Sequence, residues 1–554
     1  MRIAVVGVGP RGLSVVERVV SHTRAGGPPV ELLLVEPGPL GIGVHDPQQP
    51  DHLLLNTVAS QLTIFSDERM VPGAPVTPGP DLQQWCEATS AVPGPVAFDT
   101  FLPRALLGRY LGWAAQDLLD RCPERLAVRH LRTVATGVVP LGPGAVVTTA
   151  DGERHVVDLA VVTVGHGLPA ATPVPSDGVV DAPYPLPGAV EAVPDGATVA
   201  VLGSGLAGMD VVAAQTLGRG GRFTAGGYRP SGREPRIVVV NRSGWLPCAR
   251  PALPAGRRPR PARYLTAEAI AALHRAGPGG LDFRRDVEPL VRAEIRARMA
   301  GATAEQLRVV DDVLSPHPRA WTGYRQFHDA VVERAGADLR EAELGLGVSL
   351  VKEGLEVLRD HREALRTAVD PPGLTAASHR WFLQEYAPLV NRVVIGPQKE
   401  RIRELLQLLV AGIVQLGPGP APELARAGDG WELRSAHLAE PLTVPVDVVV
   451  RAHLSWPSAD PAVDPVGASL RRWVEPGHGV PGHLRLDRDG RPVARAGGVA
   501  GGVAVFGPVA EGASYYNHYV PSPRQWSRAL TDLDRVLGPA LQAAASASVA
   551  TATA

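Results

Sequence analysis

Cysteine is scarce in this sequence, and the cysteines that occur lie far apart. Three are present, Cys86, Cys122 and Cys248, and no two of them form a CxxC pair. Dithiol redox chemistry needs two neighbouring thiols, and structural zinc sites need clustered cysteine or histidine ligands. The spacing therefore excludes the dithiol chemistry of flavin disulfide reductases, argues against zinc and iron–sulfur centres, and predicts no metal site.

Long apolar runs and an excess of one charge are also absent. The apolar run at residues 199–202 and the valine-rich stretch at residues 446–450, which contains Asp447, are strand-sized, whereas a membrane helix needs roughly 20 apolar residues. The formal net charge is -1, so no overall field attracts nucleic acid or an anionic membrane. The N-terminus enters a strand pattern directly, without a signal peptide. We expect a cytoplasmic protein with a small-molecule substrate and no nucleic-acid or membrane partner, and leave a homo-oligomer open.

The composition is that of an ordinary globular protein. The chain has 554 residues, of which 45% are apolar and 20% charged. At about 150 residues per domain, this length predicts about two to four structural units.

A glycine turn near the N-terminus is the strongest local motif. It reads Gly7-Val8-Gly9-Pro10-Arg11-Gly12, follows the apolar residues 3–6, and precedes a helix pattern. Gly7 permits a tight turn, Gly9 lets the backbone approach a pyrophosphate, and Gly12 lets the helix pack on the strand. The next strand pattern ends at Glu36, which is placed to accept hydrogen bonds from a ribose 2′-hydroxyl and disfavours a 2′-phosphate. The turn therefore predicts FAD or NAD rather than NADP.

Polar residues in the following segment are candidates to face a flavin. Glycine-rich residues 37–45 lead into a run that contains His52, Asn56 and Thr57. In flavoproteins with two dinucleotide domains, this part of the chain wraps the isoalloxazine ring. Asn56 is favoured for that role, whereas His52 fits equally well as a residue that caps a local turn.

A second glycine turn follows about two hundred residues later. Gly203-Ser204-Gly205-Leu206-Ala207-Gly208 again stands between a strand and a helix pattern. The next strand ends in Asn241-Arg242-Ser243, so the acid that would repel a 2′-phosphate is missing. Arg242 and Ser243 can bind that phosphate, which predicts NADPH, although Arg242 also fits as a solvated surface arginine. The second turn takes the nicotinamide nucleotide and leaves the first for FAD.

The last third of the chain returns from helices to strands. Helical periodicity dominates residues 264–417, and strand patterns resume near residue 431. A final strand leads to Gly507 and then to Ser514, which we expect beside the flavin pyrimidine. His518 and Tyr519 follow, and either face the flavin or pack in the core.

These patterns predict an α/β fold with two Rossmann-like dinucleotide-binding domains and a large helical insertion. We expect a discontinuous FAD domain (residues 1–170 and 436–542), an NADPH domain (188–262), a helical insertion or cap (263–435) and a disordered tail (543–554).

Several of these stretches resemble one known family. The turn 9–12, residues 52–57, residues 231–235 and residues 511–523 are similar to a bacterial family of FAD/NAD(P)-binding proteins related to class B flavin monooxygenases. That family includes nitrosuccinate-forming aspartate N-monooxygenases and an FAD-dependent urate hydroxylase. The FxGxxxHxxxW fingerprint of Baeyer–Villiger enzymes is missing, and the turn typical of ornithine hydroxylases is altered at residues 163–166. Ketone oxygenation and ornithine hydroxylation are therefore disfavoured.

The resemblance implies an NADPH-dependent monooxygenase that forms a C4a-hydroperoxyflavin, with Asn56 and His52 as the catalytic candidates. The expected reaction is N-hydroxylation of an amino acid such as aspartate, whose carboxylate would need an arginine. Arg250, Arg325 and Arg451 are unranked candidates for that arginine. Hydroxylation of a planar heteroaromatic such as urate, an NADPH:acceptor reductase without oxygenation, and a non-catalytic nucleotide-binding module remain alternatives.

Overall fold

The computed structural model describes residues 1–165, 178–315, 319–371, 373–453, 462–477, 482–517 and 519–552. His518 and much of the proline-rich stretch before the second glycine turn lie outside the described residues.

The strands are β1 (Arg2–Val6), β2 (Val30–Val35), β3 (Leu126–Leu131), β4 (Ala135–Leu141), β5 (Gly144–Thr149), β6 (Arg154–Val157), β7 (Leu159–Val162), β8 (Val179–Val180), β9 (Thr198–Leu202), β10 (Arg222–Thr224), β11 (Gly227–Arg229), β12 (Arg236–Val240), β13 (Val414–Leu416), β14 (Glu423–Ala427), β15 (Gly430–Arg434), β16 (Thr443–Val446), β17 (Val448–Arg451) and β18 (Val503–Val505). The helices are α1 (Pro10–Arg24), α2 (Leu82–Thr89), α3 (Arg104–Asp120), α4 (Gly188–Glu191), α5 (Leu206–Thr216), α6 (Ala267–Ala276), α7 (Glu288–Arg298), α8 (Ala304–Val313), α9 (Tyr324–Leu344), α10 (Leu350–Asp360), α11 (Arg362–Val369), α12 (Ala376–Trp381), α13 (Ala387–Val394), α14 (Lys399–Val410), α15 (Pro465–Trp473) and α16 (Arg528–Ala552).

The first parallel sheet has the order β18-β7-β1-β2-β3. Its central strand, β1, is almost wholly buried, as is typical of a sheet that is covered on both faces. Helices α1, α3 and α16 cover one face, while the antiparallel sheet β4–β6 and α15 cover the other. The strand order reverses between β1 and β7, and the first glycine turn follows β1 at this point. Ligands of parallel sheets bind where the order reverses, so the topology places the turn at a binding crevice.

The second parallel sheet repeats this plan with the order β13-β12-β9-β17-β8. Its second glycine turn follows β9, again beside the reversal of strand order. Helices α5, α9 and α14 pack on one face, and β14–β16 lie against the other. The predicted α/β class with two Rossmann-like domains is confirmed.

A separate helical core joins the two sheet domains. Residues of α6, α7, α8 and α10–α13 form it, and Tyr515 from the chain after β18 inserts into it. Among the described residues, no helix is both long and apolar enough to cross a membrane.

Three of the predicted boundaries need correction. Strand β17 was assigned to the FAD domain, but it pairs with β9 in the second sheet. Helices α9 and α14 of the predicted insertion bury apolar side chains in the core of the second domain. The tail at residues 543–554 was predicted to be disordered, yet α16 continues to Ala552, because alanine has the highest helix propensity.

Candidate cofactor and active site

The first glycine turn has the geometry that close packing demands. Gly7 has φ +84°, a value that side-chain-bearing residues rarely adopt, and a Cβ there would lie 2.9 Å from Val164 Cα. A Cβ on Gly12 would lie 2.3 Å from the Gly7 carbonyl oxygen. Helix α1 therefore crosses β1 at a distance that only glycine allows.

The second glycine turn has the same construction. Gly203 has φ +128°, and a Cβ on Gly208 would lie 2.0 Å from the Gly203 carbonyl oxygen. The two middle glycines nearly superimpose in conformation, since Gly9 has φ -77° and ψ -163° while Gly205 has φ -76° and ψ -163°. Each is the N-cap residue of its helix.

Both helix N-termini fit a pyrophosphate. Neither α1 nor α5 has a side-chain cap, so their first backbone N–H groups have no such partner. Among the described residues other than its chain neighbours, a Cβ on Gly205 would meet nothing within 4 Å, and a Cβ on Gly9 would meet only the backbone of Gly43, at 3.4 Å or more. Free N–H groups at the positive end of a helix dipole, reached over an uncovered glycine, suit the phosphates of FAD and of a nicotinamide dinucleotide.

The side chain after the second strand differs between the two domains in a way that fits two different nucleotides. Glu36 accepts hydrogen bonds from Val8 N–H at 2.9 Å and from Gly38 N–H at 3.2 Å. Asn241 takes the equivalent place and donates from Nδ2 to Ser204 Oγ at 2.9 Å. An acid thus follows the second strand of the first sheet domain, and a neutral amide follows the equivalent strand of the second.

Arg242 and Ser243 lie beside Asn241 but have protein partners. The exposed Arg242 donates from Nη2 to the Gln384 carbonyl oxygen at 2.9 Å, and Ser243 Oγ donates to Asn241 Oδ1 at 3.1 Å. Their role at a 2′-phosphate stays a prediction.

The turn after β18 meets the first glycine turn. A Cβ on Gly507 would lie 3.1 Å from Arg11 Cγ, and Arg11 donates from Nη2 to the Asn517 carbonyl oxygen at 2.5 Å. The Arg11 guanidinium also lies 5.3 Å from the centre of the Tyr519 ring. Burial lowers the pKa of Arg11. Ser514 Oγ lies 3.5 Å from Asp370 Oδ2 on the chain after α11, so a contact of Ser514 with FAD stays a prediction.

Asn56 and Thr57 lie at the end of a segment that both sheet domains hold. Leu55 N–H donates to the Leu102 carbonyl oxygen at 2.9 Å, and Gln398 donates to the Leu55 carbonyl oxygen. Asn56 and Thr57 are half-buried. Their side chains have no hydrogen-bond partner among the described residues, which leaves the Asn56 amide available to a ligand.

His52 lies between the two sheet domains. A Cβ on Gly218, just after α5, would lie 3.2 Å from His52 Cε1, and His52 Nε2 is buried without a hydrogen-bond partner among the described residues. Burial lowers the pKa of His52 and favours the neutral ring. This placement brings the ring against the second domain, and the catalytic role of His52 stays a prediction.

The three arginines proposed for a substrate carboxylate either pair with a carboxylate of the protein or are almost fully exposed. Arg250 is buried in a two-pronged ion pair with Glu356 at 3.0 and 2.9 Å. The Arg325 side chain is 96% exposed, and Arg451 pairs with Asp181 at 3.2 Å.

A different arginine, Arg359 of α10, lies against the segment after Asn56. Its Nη2 is 3.4 Å from Gln61 Oε1, and its Nε is 3.9 Å from Glu356, which Arg250 already occupies. Burial and the nearby charge of Arg250 lower the pKa of Arg359 to about 10. No sequence signal marked Arg359, because it stands among many arginines on amphipathic helices.

Comparison with known proteins shows the family of this chain. A family described as FAD-NAD(P)-binding matches residues 4–167. The chain is 31% identical to the nitrosuccinate-forming L-aspartate N-monooxygenase of Streptomyces cremeus, over 85% of this chain and 82% of that protein. It is 32% identical to the nitrosuccinic acid synthase npaA of Aspergillus oryzae, over 82% of this chain and 79% of that protein. The chain belongs to the L-aspartate N-monooxygenase family.

Among solved structures, the ornithine N-hydroxylase KtzI of Kutzneria sp. 744 matches with a TM-score of 0.47 and 14% identity, over 98% of each chain. Membership of the L-aspartate N-monooxygenase family confirms the predicted enzyme class, a flavin monooxygenase. The family match at the N-terminus confirms the predicted binding of FAD and a nicotinamide dinucleotide.

His45, in the loop after Glu36, should make the free energy of unfolding of this protein depend on pH. Burial and the charge of Arg104 lower the pKa of His45 from 6.5 to about 4, so the folded protein keeps the ring neutral. As pH falls from 6.5 towards 4, the unfolded chain takes up a proton that the folded chain refuses, and the free energy of unfolding decreases. Urea titrations of His45→Gln should show a smaller decrease over this range. An unchanged slope in His45→Gln would refute the assignment.

Proposed function

We propose that this protein is an NADPH-dependent flavin monooxygenase that oxidises the amino nitrogen of L-aspartate. The supporting observation is the identity of 31% with an L-aspartate N-monooxygenase over 85% of the chain. Two glycine turns of the same geometry, with an acid beside one and an amide beside the other, supply the matching pair of nucleotide sites. A cytoplasmic location stays a prediction.

In this proposal, the chain holds each cofactor by its backbone. The N–H groups at the start of α1 bind the FAD pyrophosphate, and Glu36 accepts from the adenosine ribose. The start of α5 binds the second pyrophosphate, and Asn241 leaves room for a 2′-phosphate, which favours NADPH. Bound FAD supplies the electron transfer from NADPH to O2 and the transfer of one oxygen atom, while the other oxygen leaves as water.

Asn56 and Arg359 are the proposed substrate-side residues. The Asn56 amide, free of protein partners among the described residues, can orient groups at the flavin edge. The Arg359 guanidinium can bind a substrate carboxylate, because its neighbour Glu356 is neutralised by Arg250. A guanidinium beside the substrate also disfavours the charged ammonium and lowers the pKa of the amine. Arg359 thereby promotes the neutral amine that attack on oxygen requires.

Arg359→Gln should weaken substrate binding more than it affects the cofactors. Loss of a charged hydrogen bond of about 1.5 kcal/mol corresponds to about a tenfold rise in KM for L-aspartate. The KM is measured from the steady-state rate of NADPH oxidation at a series of L-aspartate concentrations. Arg308→Gln, on an exposed arginine of α8 paired with Glu305, is the matched control. An unchanged KM in Arg359→Gln would contradict the assignment.

The substrate itself is tested with a panel of small molecules. Purified FAD-loaded protein is incubated with NADPH and L-aspartate, L-glutamate, L-ornithine or urate, and the products are identified by mass spectrometry. L-Aspartate should give an N-oxidised product and the fastest NADPH oxidation. A hydroxylated product from urate alone, or only hydrogen peroxide with every compound, would overturn the proposal.

A further inference from the structure

The segment that leads to Asn56 is built into the cores of both sheet domains. Leu53 is fully buried among side chains of the second domain, whereas Leu55 is buried in the core of the first. Residues two apart in an extended segment normally face the same way, so these two side chains need a bent backbone between them. The chain from His52 to Asn56 therefore lies at the junction, and a shift of either domain is transmitted to it.

Three side chains, two from α14 and its N-cap position and one from α3, donate hydrogen bonds to the carbonyl groups of this junction segment. Arg401 of α14 donates to the His52 carbonyl oxygen, and Gln398, just before α14, donates to that of Leu55. Arg104, at the start of α3, donates from Nη2 to the Leu54 carbonyl oxygen at 3.1 Å. The position of Leu54, two residues before Asn56, thus depends on Arg104.

Arg104 is itself held by the second domain. Its Nη2 lies 2.6 Å from Asp210 Oδ2 on α5, and the Tyr184 hydroxyl donates to the same oxygen at 2.6 Å. The guanidinium also stacks over the Tyr184 ring, 5.8 Å from its centre. The Arg104 and Asp210 side chains are only 16% and 7% exposed. Removal of one partner from such a buried pair leaves an uncompensated charge, which is strongly destabilising. The pair should therefore stay together in the folded protein.

Asp210 also belongs to the helix that begins at the second glycine turn. It lies four residues after Leu206, the first residue of α5, whose N-terminus is the proposed pyrophosphate site. Helix α5 is rigid over this distance, so a displacement of its N-terminus on nucleotide binding displaces Asp210 as well.

We propose that Asp210 is a positioning residue, which fixes Arg104 and, through the Leu54 carbonyl, the location of Asn56. The second domain then determines the position of residues 52–56, and this position depends on whether a nucleotide is bound at the start of α5. This inference rests on the proposed function only for the roles of the two glycine turns.

The test compares Asp210→Asn with a matched ion-pair variant of the same domain. Asp195→Asn removes the carboxylate that pairs with Arg219 at 2.6 Å, on the 56% exposed side chain of Asp195. Hydrogen–deuterium exchange of a peptide spanning residues 50–62 is measured with and without NADP⁺. NADP⁺ should protect this peptide in the wild type and in Asp195→Asn but not in Asp210→Asn. Tyr184→Phe keeps the ion pair and should show intermediate protection. This second variant tests the proposal even if Asp210→Asn fails to fold.

Reduction of FAD supplies a second readout. At saturating NADPH, Asp210→Asn should reduce the flavin about tenfold or more slowly, because small misplacements of reacting groups are costly. Its Kd for NADP⁺ should stay within about twofold of the wild-type value, since the glycine turn is intact. Equal NADP⁺ protection of residues 50–62 in all variants, or a uniform rise in exchange over the whole chain, would overturn the proposal. Neither readout needs an amino-acid substrate. If no N-oxidised product is found, the proposed function fails, but the positioning role of Asp210 can still be tested.

Discussion

Gly9→Ala is expected to fold like the wild type and to lose its FAD. The added Cβ would contact Gly43 Cα at 3.4 Å, an ordinary distance, and the backbone angles of Gly9 suit alanine. The methyl group would, however, stand where the pyrophosphate approaches the start of α1. Loss of two backbone hydrogen bonds to a charged phosphate, at about 1.5 kcal/mol each, raises the Kd for FAD about a hundredfold.

Fluorescence titration of the apoprotein with FAD measures this change, and thermal unfolding of the apoprotein reports the fold. Gly12→Ala supplies the contrast, because its Cβ would lie 2.3 Å from the Gly7 carbonyl oxygen and should lower the unfolding temperature instead. A Gly9→Ala protein that keeps FAD but no longer binds NADP⁺ would reverse the roles given to the two turns.

Gly205→Ala should have the complementary effect. In the part of the chain that the structure describes, no atom beyond its chain neighbours lies within 4 Å of its Cβ position, so the protein should fold and retain FAD. Binding of NADP⁺ should weaken about a hundredfold by the same loss of phosphate hydrogen bonds. Calorimetric titration with NADP⁺ and anaerobic reduction by NADPH are the measurements.

The control for this variant is reduction by dithionite, which needs no nucleotide site. Gly205→Ala should be reduced by dithionite as fast as the wild type and by NADPH far more slowly at a low nucleotide concentration. If NADPH reduces the flavin of Gly205→Ala at the wild-type rate, the nicotinamide dinucleotide binds elsewhere.

Local sequence patterns were sufficient to predict the two glycine turns and their place between strand and helix. Each glycine turn is a short-range motif whose strand, turn and helix are contiguous, so Gly7, Gly12, Gly203 and Gly208 could be assigned from spacing alone. Glu36 was predictable for the same reason, because it ends the strand that follows α1. The structure adds that Asn241 bonds to its glycine turn as Glu36 does to the first.

Features that depend on distant pairing could not be predicted in this way. The valine-rich stretch at residues 446–450 indicated a buried strand, but burial does not say which sheet a strand joins, and β17 joins the second. Asp210 is the one charged residue of α5, and the sequence analysis did not single it out. Its partner Arg104 comes from another domain and could not be identified from local periodicity.

The most direct test of this account follows the oxygen atom. The FAD-loaded protein is incubated with NADPH, L-aspartate and heavy-isotope oxygen gas, and the amino-acid product is analysed by mass spectrometry. The account predicts that heavy oxygen becomes bonded to the former amino nitrogen of aspartate. Unlabelled, unchanged aspartate, with all the heavy oxygen in hydrogen peroxide, would contradict it.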